Sequence, residues 1–478
     1  MMAASRTRRK AAPRRWHVAP PPEPSAAAAA EELRRALRVS AVCARILVRR
    51  GYTQTGDAKA FLSRNLDLLH EPHLLPDMDR AVARIAEAVE KNQKVVLFGD
   101  YDADGLTATA LLDRFFGLVK SREHTGVQVE SLVPERKHGY GLSAEAATAI
   151  KHHKPDLLIT LDNGISAHGP LDTLAHAGTE CIVVDHHHIG ANLPRAVAVI
   201  NPKRRDGGCN YPFTDLCGAG IAFKLAWALA VHFSHNRTVT KEFRAFLLDA
   251  VALAGIGTLA DVVPLVGENR VLAHQGLLAL QRTRAPGLRA LMGLCAIRGT
   301  PRVSDVTFRI APRLNAAGRC GEVTAALELL LTADPARADD LATLLDGYNA
   351  ERQDIESRIL EEARQQALDV LERKPDCCAF VLESADWHDG VIGIVASRIV
   401  EEFHRPALLL SVDRGSKVAR GSGRSIRGLR GTGNAERSGC GPVQGPGGVG
   451  AVRHREPAAA AGGVWRFDQQ SAAVDGQG

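Results

Sequence analysis

The sequence lacks any apolar run that approaches the roughly 20 residues of a membrane helix, so no membrane span is predicted. Its nine cysteines are scattered and include no C-x-x-C pair, which excludes a disulfide framework or zinc ribbon and indicates reduced thiols in a cytosolic protein. With 44 Gly, 23 Pro and 24% charged residues, the chain is neither collagen-like nor wholly disordered. A hydrophobic fraction of 45% over 478 residues predicts about three globular domains.

The excess of positive charge is confined to the first 15 residues. They contain six Arg or Lys and no acid, which equals the net charge of +6 of the whole chain. Bulk charge therefore does not predict a nucleic-acid-binding surface, and any phosphate contact must come from individually placed arginines. The segment has no apolar core like that of a secretory signal, and we interpret it as a disordered basic arm, with an organellar transit peptide as the alternative.

The middle of the chain alternates short β-rich runs with helical patterns from Lys94 onward, which predicts an α/β domain with a largely parallel sheet. The strand candidates are Val95–Phe98, Val127–Val133, Leu157–Leu161, Cys181–Val184 and Ala196–Ile200. A long amphipathic helix begins with Asp334-Pro335, a cap followed by a proline in the first turn, and reaches about Lys374. A second α/β segment then has strands at Ala379–Leu382 and Ala407–Val412 and a helix at Ile392–Phe403.

These patterns divide the chain into six segments. They are a disordered basic arm (1–24), an N-terminal helical cap (25–90), a catalytic domain (91–333), a connecting helix (334–374), a partial second domain (375–426) and a low-complexity tail (427–478). The tail has one Leu and no Ile or Lys, so it cannot easily bury a core and no strand is predicted in it. Because the change is abrupt and falls within a domain, we interpret the tail as the product of a reading-frame shift, with a natural flexible tail as the alternative.

The strongest chemical signal is Asp100, Asp102 and Asp104, which directly follow the first predicted strand. Three carboxylates on alternate residues repel one another unless divalent cations neutralise them. An EF-hand loop is the competing interpretation, but its twelfth position falls on Leu111, which is not an acid, and a strand rather than a helix precedes the motif.

Three further motifs place acidic or imidazole side chains after apolar runs: Asp162, the series Asp185-His186-His187, and Asp261. Together with Asp100–Asp104, we expect these motifs to follow the ends of four strands of one sheet, where parallel sheets bind their ligands. Mixed carboxylate and imidazole ligands suit Mn²⁺ or Mg²⁺. They suffice for two ions about 3.5–4 Å apart, which would activate a water and stabilise both oxygens of an in-line phosphoryl displacement.

Seven motifs in this order resemble those of the DHH phosphoesterases, and within that family those of exonucleases specific for single-stranded DNA. They are Gly99–Gly105, Pro134–Arg136 with Gly139–Leu142, Asp185–His187, Gly257–Pro264, Pro312–Arg319, Trp387–Ala396 and Gly421–Ser425. The resemblance implies a DHH-type parallel-sheet catalytic domain, joined by a long helix to an incomplete second α/β domain of the DHHA1 type.

The resemblance also implies the roles of individual residues. The metal ligands would be Asp102, Asp104, Asp162, His186 and Asp261, with Asp162 as the bridge between the two cations. His187 would lie against the scissile phosphate or the attacking water, and Asp100 and Asp185 would support the ligands. Residues around the 5′ phosphate and first nucleotides would be Arg136, Arg313 or Arg319, Ser422 and Arg424. The glycines around Ser422 would let backbone N–H groups approach an anion.

The implied activity is 5′→3′ hydrolysis of single-stranded DNA in repair and recombination in the bacterial cytoplasm. A single-strand-binding protein and a helicase are the implied partners. Two other functions stay open: a phosphoesterase for short oligonucleotides or small phosphate compounds, and a DNA-binding relative without activity.

Two departures from the family pattern bear on these expectations. Phe98 stands where some members have a histidine, so one cation would be held more weakly. After Ile426 neither the Gly-Gly-His motif nor an OB-type domain is visible, so weak DNA binding or low processivity is expected.

Overall fold

In the described part of the computed structural model, four α-helices precede the first strand. The structure describes residues 23–134, 141–208, 210–236, 238–413, 415, 418–426 and 449–453. The helices are α1 (Pro24–Leu37), α2 (Ala41–Arg49), α3 (Thr55–Leu62) and α4 (Met78–Glu90). The first three enclose a small apolar cluster around Leu33 and Leu47, whereas α4 packs on the central core through Ile85. The short helices predicted before residue 90 are therefore present, and their status as a separate cap domain stays a prediction.

The central sheet has five parallel strands in the order β2-β1-β3-β4-β5. In chain order its elements are β1 (Lys94–Gly99), α5 (Ala103–Arg122), β2 (Gln128–Leu132), α6 (Ala144–His152), β3 (Leu157–Leu161), α7 (His168–His176), β4 (Glu180–Val184) and β5 (Ala198–Ile200). Side chains of a strand alternate between the two faces of the sheet, so Val95 and Leu97 lie in one core and Val96 in the other. The prediction of an α/β fold with a parallel sheet is confirmed.

The position of β1 within the sheet places the candidate ligands. Its neighbours are β2 on one side and β3 on the other, so the crossovers reverse direction here. In open parallel sheets, ligands bind outside the carboxyl ends of the strands at such a switch point. Gly99 and Leu161, the last residues of β1 and β3, are paired in register, so the segments that begin at Asp100 and Asp162 leave the sheet side by side.

A helical layer follows the sheet. It comprises α8 (Gly218–Phe233), α9 (Lys241–Ala260), α10 (Gly267–Arg282), α11 (Pro286–Leu294), α12 (Val303–Asp305), α13 (Ala311–Cys320) and α14 (Val323–Leu331), with a π-helical turn at Val306–Ile310. Contrary to the expectation from the sequence, α9 could cross a membrane by length and composition, although Arg244 and Asp249 lie within its apolar stretch. Most of that stretch is buried against α5, α8 and α10, and a buried core helix meets the same test.

The predicted long helix is present as α15 (Pro335–Arg373), and the Asp334 carboxylate caps it by accepting the backbone N–H of Ala336 at 3.0 Å. Its role as a connector between domains stays a prediction. Its C-terminal half packs in a second core with β6 (Phe380–Ser384), α16 (Ile392–Phe403) and β7 (Ala407–Asp413). The strands β8 (Val418–Arg424) and β9 (Val449–Arg453) complete the sheet that begins with β6 and β7. In this sheet, β6 and β7 are parallel and the other two pairs are antiparallel.

Two strands of the second sheet contradict expectations from the sequence. The glycine string at Gly421–Ser425, expected to turn backbone N–H groups toward an anion, runs as strand β8 and pairs with β7. Gly421 packs closely on β7, because a Cβ there would lie 2.6 Å from Leu410 Cδ2, whereas a Cβ at Gly423 would meet only an ordinary contact. Within the segment where no strand was predicted, Val449–Arg453 pairs with β8, since backbone pairing does not require the apolar alternation used to recognise strands.

Candidate metal centre and cleft

The loop after β1 is shaped by its own carboxylates. Asp102 is the N-cap of α5, and its Oδ1 accepts the backbone N–H groups of Asp104 at 3.0 Å and Gly105 at 3.1 Å. Asp100 Oδ1 accepts the N–H of Tyr101 at 2.8 Å. A Cβ at residue 105 would lie 2.5 Å from the Asp100 nitrogen, so a glycine is required for this tight approach. The motif therefore presents three carboxylates from one turn.

Asp104 also contacts the beginning of a distant helix. Its two carboxylate oxygens accept the backbone N–H groups of Gly218 at 2.6 Å and Ala219 at 2.9 Å, at the N-terminus of α8. The positive end of the helix dipole favours a carboxylate here. Burial nevertheless raises the pKa of Asp104, with the charge of Asp102 acting in the same direction. The helix fixes the orientation of this carboxylate but does not remove its need for a cationic partner.

Asp162 is buried within the cluster on a backbone of unusual conformation. It is 2% exposed and has a φ of 63°, a left-handed conformation that non-glycine residues seldom adopt. Burial and the charges of the neighbouring carboxylates raise its pKa well above the ordinary value. Its Oδ1 accepts no hydrogen bond from the described residues, although His186 Nε2 lies 3.1 Å away. Such a buried, unsatisfied oxygen among like charges fits a cation-binding role.

The two histidines after β4 have different environments. His187 Nδ1 lies 2.7 Å from Asp185 Oδ1, so this carboxylate orients His187. Burial alone lowers the pKa of His187, but Asp185 and neighbouring carboxylates outweigh it and raise the pKa to about 9. Burial lowers the pKa of His186 to about 4, which leaves its imidazole neutral, as a metal ligand must be.

Asp261 reaches the cluster from a helix, not from the sheet. Asp261 is the C-cap residue of α9, so the expectation that it follows a strand of the sheet is wrong. The apolar run before it was short enough to resemble a strand, a known ambiguity of buried segments. Its Oδ2 lies 3.7 Å from His186 Nε2, and burial together with Asp104 and Asp102 raises its pKa to about 8.

The structure brings together all the side chains proposed as ligands. Three groups have ligand atoms within 4.8 Å of one another: Asp162 with His186 and His187, Asp104 with His186 and Asp261, and Asp100 with Asp102 and Asp162. Asp162 and His186 each belong to two groups, which fits a shared position between two cations. Asp100, expected only to support the ligands, lies close enough to be one itself. Oxygen and imidazole donors of this kind suit Mn²⁺ or Mg²⁺.

A cleft of about 480 Å³ opens beside these carboxylates, between the catalytic domain and the second sheet. Asp102 and Asp261 line one side, and Ser422, Arg424 and Gly393 line the other. Arg424 donates to Ser422 Oγ at 3.1 Å, and burial lowers its pKa. The cleft therefore combines a guanidinium, a hydroxyl and the first turn of α16 opposite the acidic cluster, an arrangement suited to an anion.

Comparison with known proteins agrees with this geometry. Residues 94–255 match the model of the DHH family, N-terminal domain. A RecJ crystal structure with bound manganese is 34% identical, with a TM-score of 0.66, over 82% of this chain and 92% of that one. The chain belongs to the RecJ family.

Two further members of the RecJ family are longer than this chain. RecJ of Bacillus subtilis, a single-stranded-DNA-specific exonuclease, is 37% identical over 422 residues, which are 88% of this chain and 50% of that protein. The crystal structure of Thermus thermophilus RecJ with Mn²⁺ has a TM-score of 0.72 and 33% identity, over 90% of this chain and 58% of that one. The chain thus spans about half the length of these relatives.

The expected phosphate-binding residues are not all at the cleft. Arg319, Ser422 and Arg424 line it, and Arg319 Nη1 donates to the carbonyl of Gly390 across the two domains at 2.7 Å. Arg313, expected beside the phosphate, instead pairs with Asp346 of α15 at 2.7 Å. Six residues separate the two arginines, so they lie on different faces of α13. Arg136 lies outside the described residues.

Asn315 is a site residue for which the sequence predicted no role. Its Oδ1 accepts the backbone N–H of Ala103 at 2.7 Å, and its side chain lines the cleft. It thereby fixes the acidic loop at the start of α5. Its place inside the Pro312–Arg319 motif was the available signal. Phe98, which occupies the family's histidine position, is 3% exposed and packs in the core on one face of the sheet, where it offers no ligand atom.

Proposed function

We propose that this chain is a metal-dependent exonuclease that hydrolyses single-stranded DNA from the 5′ end. The observation that carries the proposal is that Asp102 and Asp261 belong both to the cation-binding groups and to the wall of the cleft. A strand whose phosphate contacts Arg424 would therefore also contact the acidic cluster. The single-stranded-DNA specificity of the RecJ relatives supports the substrate class, and the direction from the 5′ end is an expectation from the family resemblance.

The residues that would hold two divalent cations are Asp102, Asp104, Asp162, His186 and Asp261, with Asp162 shared between them. RecJ of Thermus thermophilus has been crystallised with Mn²⁺ and with Mg²⁺, which supports these ions here. When bound, such a pair supplies a water of lowered pKa and charge neutralisation for phosphodiester hydrolysis. Without the cations, burial raises the pKa values of three of these carboxylates, as expected for a site that is complete only with positive charge.

The side chains of this chain would position the strand. His187, held by Asp185 and with a pKa of about 9, is cationic at neutral pH and can donate a hydrogen bond to a phosphate oxygen. Arg319 and Arg424 would supply planar guanidinium groups to phosphates in the cleft. The terminal 5′ phosphate would lie near Ser422 and Arg424, so the enzyme would measure its cut from that end.

The proposed setting is DNA repair and recombination in the bacterial cytoplasm, with a single-strand-binding protein and a helicase as partners. The resemblance to the RecJ family supports this setting, since repair exonucleases act on strands that a helicase unwinds. Neither partner is identified by a surface of the described residues.

The test uses the purified chain with single strands labelled at the 5′ or the 3′ end and a duplex control, in Mn²⁺, Mg²⁺ or EDTA. We expect metal-dependent loss of the 5′ label first, with the duplex spared. Asp104→Ala should abolish hydrolysis while circular dichroism stays native. First release of the 3′ label, equal cleavage of the duplex, or hydrolysis in EDTA would contradict the proposal.

A further inference from the structure

A large aromatic side chain is exposed near the metal centre. Phe308 is 75% exposed, and it is the most exposed aromatic side chain in the described part of the chain. It lies in the π-helical turn Val306–Ile310, which continues directly into α13. Single π-helical turns inside helical runs are frequent at functional sites. An exposed Phe on such a turn is therefore a candidate for ligand contact.

The position of Phe308 is tied to the cleft in two ways. It lies in the same helical run as Asn315 and Arg319, seven and eleven residues before them. Both later residues line the cleft. In addition, Thr307 Oγ1 donates to the carbonyl oxygen of Leu259 at 3.4 Å, two residues before Asp261. The turn that carries Phe308 thus adjoins the end of α9 from which Asp261 enters the cluster.

Val262 provides a second, independent observation at the same end of α9. It follows Asp261 directly, is 76% exposed and has a φ of 59°. A β-branched residue in the left-handed region is strained, and such strain concentrates at functional sites. An apolar side chain held outward at that conformation beside a cation-binding residue extends the apolar surface next to the metal centre.

We propose that Phe308 stacks on a base of the single strand that occupies the cleft, with Val262 adding apolar surface beside it. The proposal rests on the proposed function, because the cleft must hold nucleic acid. The arginines of the cleft suit phosphates, and an exposed aromatic ring would add a base-stacking contact without sequence preference. Base faces are exposed only in single strands, so this residue would also favour single strands over duplexes.

The test is equilibrium binding by fluorescence anisotropy in EDTA, which prevents hydrolysis. The probes are a labelled oligothymidylate and an abasic strand of equal length. Phe308→Ala should weaken oligothymidylate binding by about 5- to 150-fold, the effect of truncating one base-stacking residue, and leave the abasic strand unaffected. Phe308→Trp should retain binding. The control is Ile46→Ala, an exposed apolar residue (51%) on α2, which should change neither value.

The outcomes separate this proposal from the proposed function. If the wild-type chain binds and hydrolyses single strands but Phe308→Ala behaves like Ile46→Ala, the stacking proposal is overturned and the exonuclease function stands. An equal loss for the abasic strand, or a change in sedimentation, would show that Phe308 contacts protein and not a base. If the wild-type chain binds no single strand at all, both proposals fail.

Discussion

His187 Nδ1 lies 2.7 Å from Asp185 Oδ1, and the same oxygen accepts the backbone N–H of His187 at 3.0 Å. The other carboxylate oxygen accepts the N–H of Ile165 at 2.9 Å, so Asp185 is fixed at the end of β4. The adjacent His186 has no such carboxylate hydrogen bond among the described residues, and burial lowers its pKa. Two consecutive imidazoles therefore differ in protonation at neutral pH, one suited to a cation and the other to an anion.

Replacing Asp185 with Asn should lower the pKa of His187 from about 9 to its ordinary value near 6.5 or below, because burial then dominates. The measurement is an NMR titration of the His187 imidazole in metal-free protein. Asp386→Asn, at an exposed acid far along the chain, is the control and should leave the titration unchanged. A pKa of His187 that stays near 9 in Asp185→Asn would contradict the assigned cause.

A methyl group at residue 257 should disturb the metal centre. A Cβ there would lie 2.4 Å from Asp104 Oδ1 and 2.6 Å from the Cβ of Ala219. Gly257→Ala should therefore lower the free energy of unfolding by about 1–3 kcal/mol and weaken Mn²⁺ binding by displacing Asp104.

The matched control is Gly117→Ala in α5, where a Cβ would meet no atom within 4 Å. It should leave Mn²⁺ binding unchanged and raise the free energy of unfolding by about 0.5–1 kcal/mol, because alanine loses less entropy in a helix. Urea unfolding and Mn²⁺ titration measure both quantities. Equal behaviour of the two variants would show that the close approach at Gly257 is not required.

The ion pair of Asp77 with Arg204 should make stability depend on acid pH. Asp77 Oδ2 lies 2.6 Å from Arg204 Nη1 and accepts the N–H of Val199 in β5 at 3.0 Å. Burial by itself raises the pKa of Asp77, but these hydrogen bonds outweigh it and hold the pKa below the ordinary value of 3.8. Since the folded pKa is the lower one, this contribution is full above the ordinary value and is lost as the pH falls through the folded value.

Asp77→Asn tests this sign. The difference in free energy of unfolding between the wild-type chain and the variant should be constant from pH 7 to about pH 5 and should shrink below about pH 4. Denaturant unfolding at a series of pH values measures it. A difference that stays constant down to pH 3, or grows there, would show that Asp77 is not stabilised as a carboxylate.

The sequence was most informative where chemistry follows a strand directly. Asp100 and Asp162 could be predicted at one edge because short apolar runs precede both, and the carboxyl ends of parallel strands share an edge. Asp261 was predicted at the same site but on the wrong element, since a short apolar run fits a strand and a buried helix equally. The seven-motif resemblance reached the RecJ family, although composition and charge alone did not suggest DNA.

Other features depend on contacts between distant parts of the chain and left no local signal. Arg319 lines the cleft and Arg313 does not, because of which face of α13 meets the second sheet. The contact of Asp104 with the start of α8 joins residues more than a hundred positions apart. The outward position of Phe308 depends on a π-helical turn, which a helical periodicity of 3.6 does not reveal.

The central claim is that two divalent cations share Asp162, and counting bound Mn²⁺ tests it most directly. The measurement is equilibrium binding of Mn²⁺ to the purified chain and to Asp162→Asn, followed by electron paramagnetic resonance of free Mn²⁺. Because the substitution removes one of several mutually repelling buried carboxylates, the metal-free variant should stay folded. We predict two ions per wild-type chain and a loss of about tenfold or more in affinity for both in the variant. Two ions bound to Asp162→Asn with wild-type affinity would contradict the account.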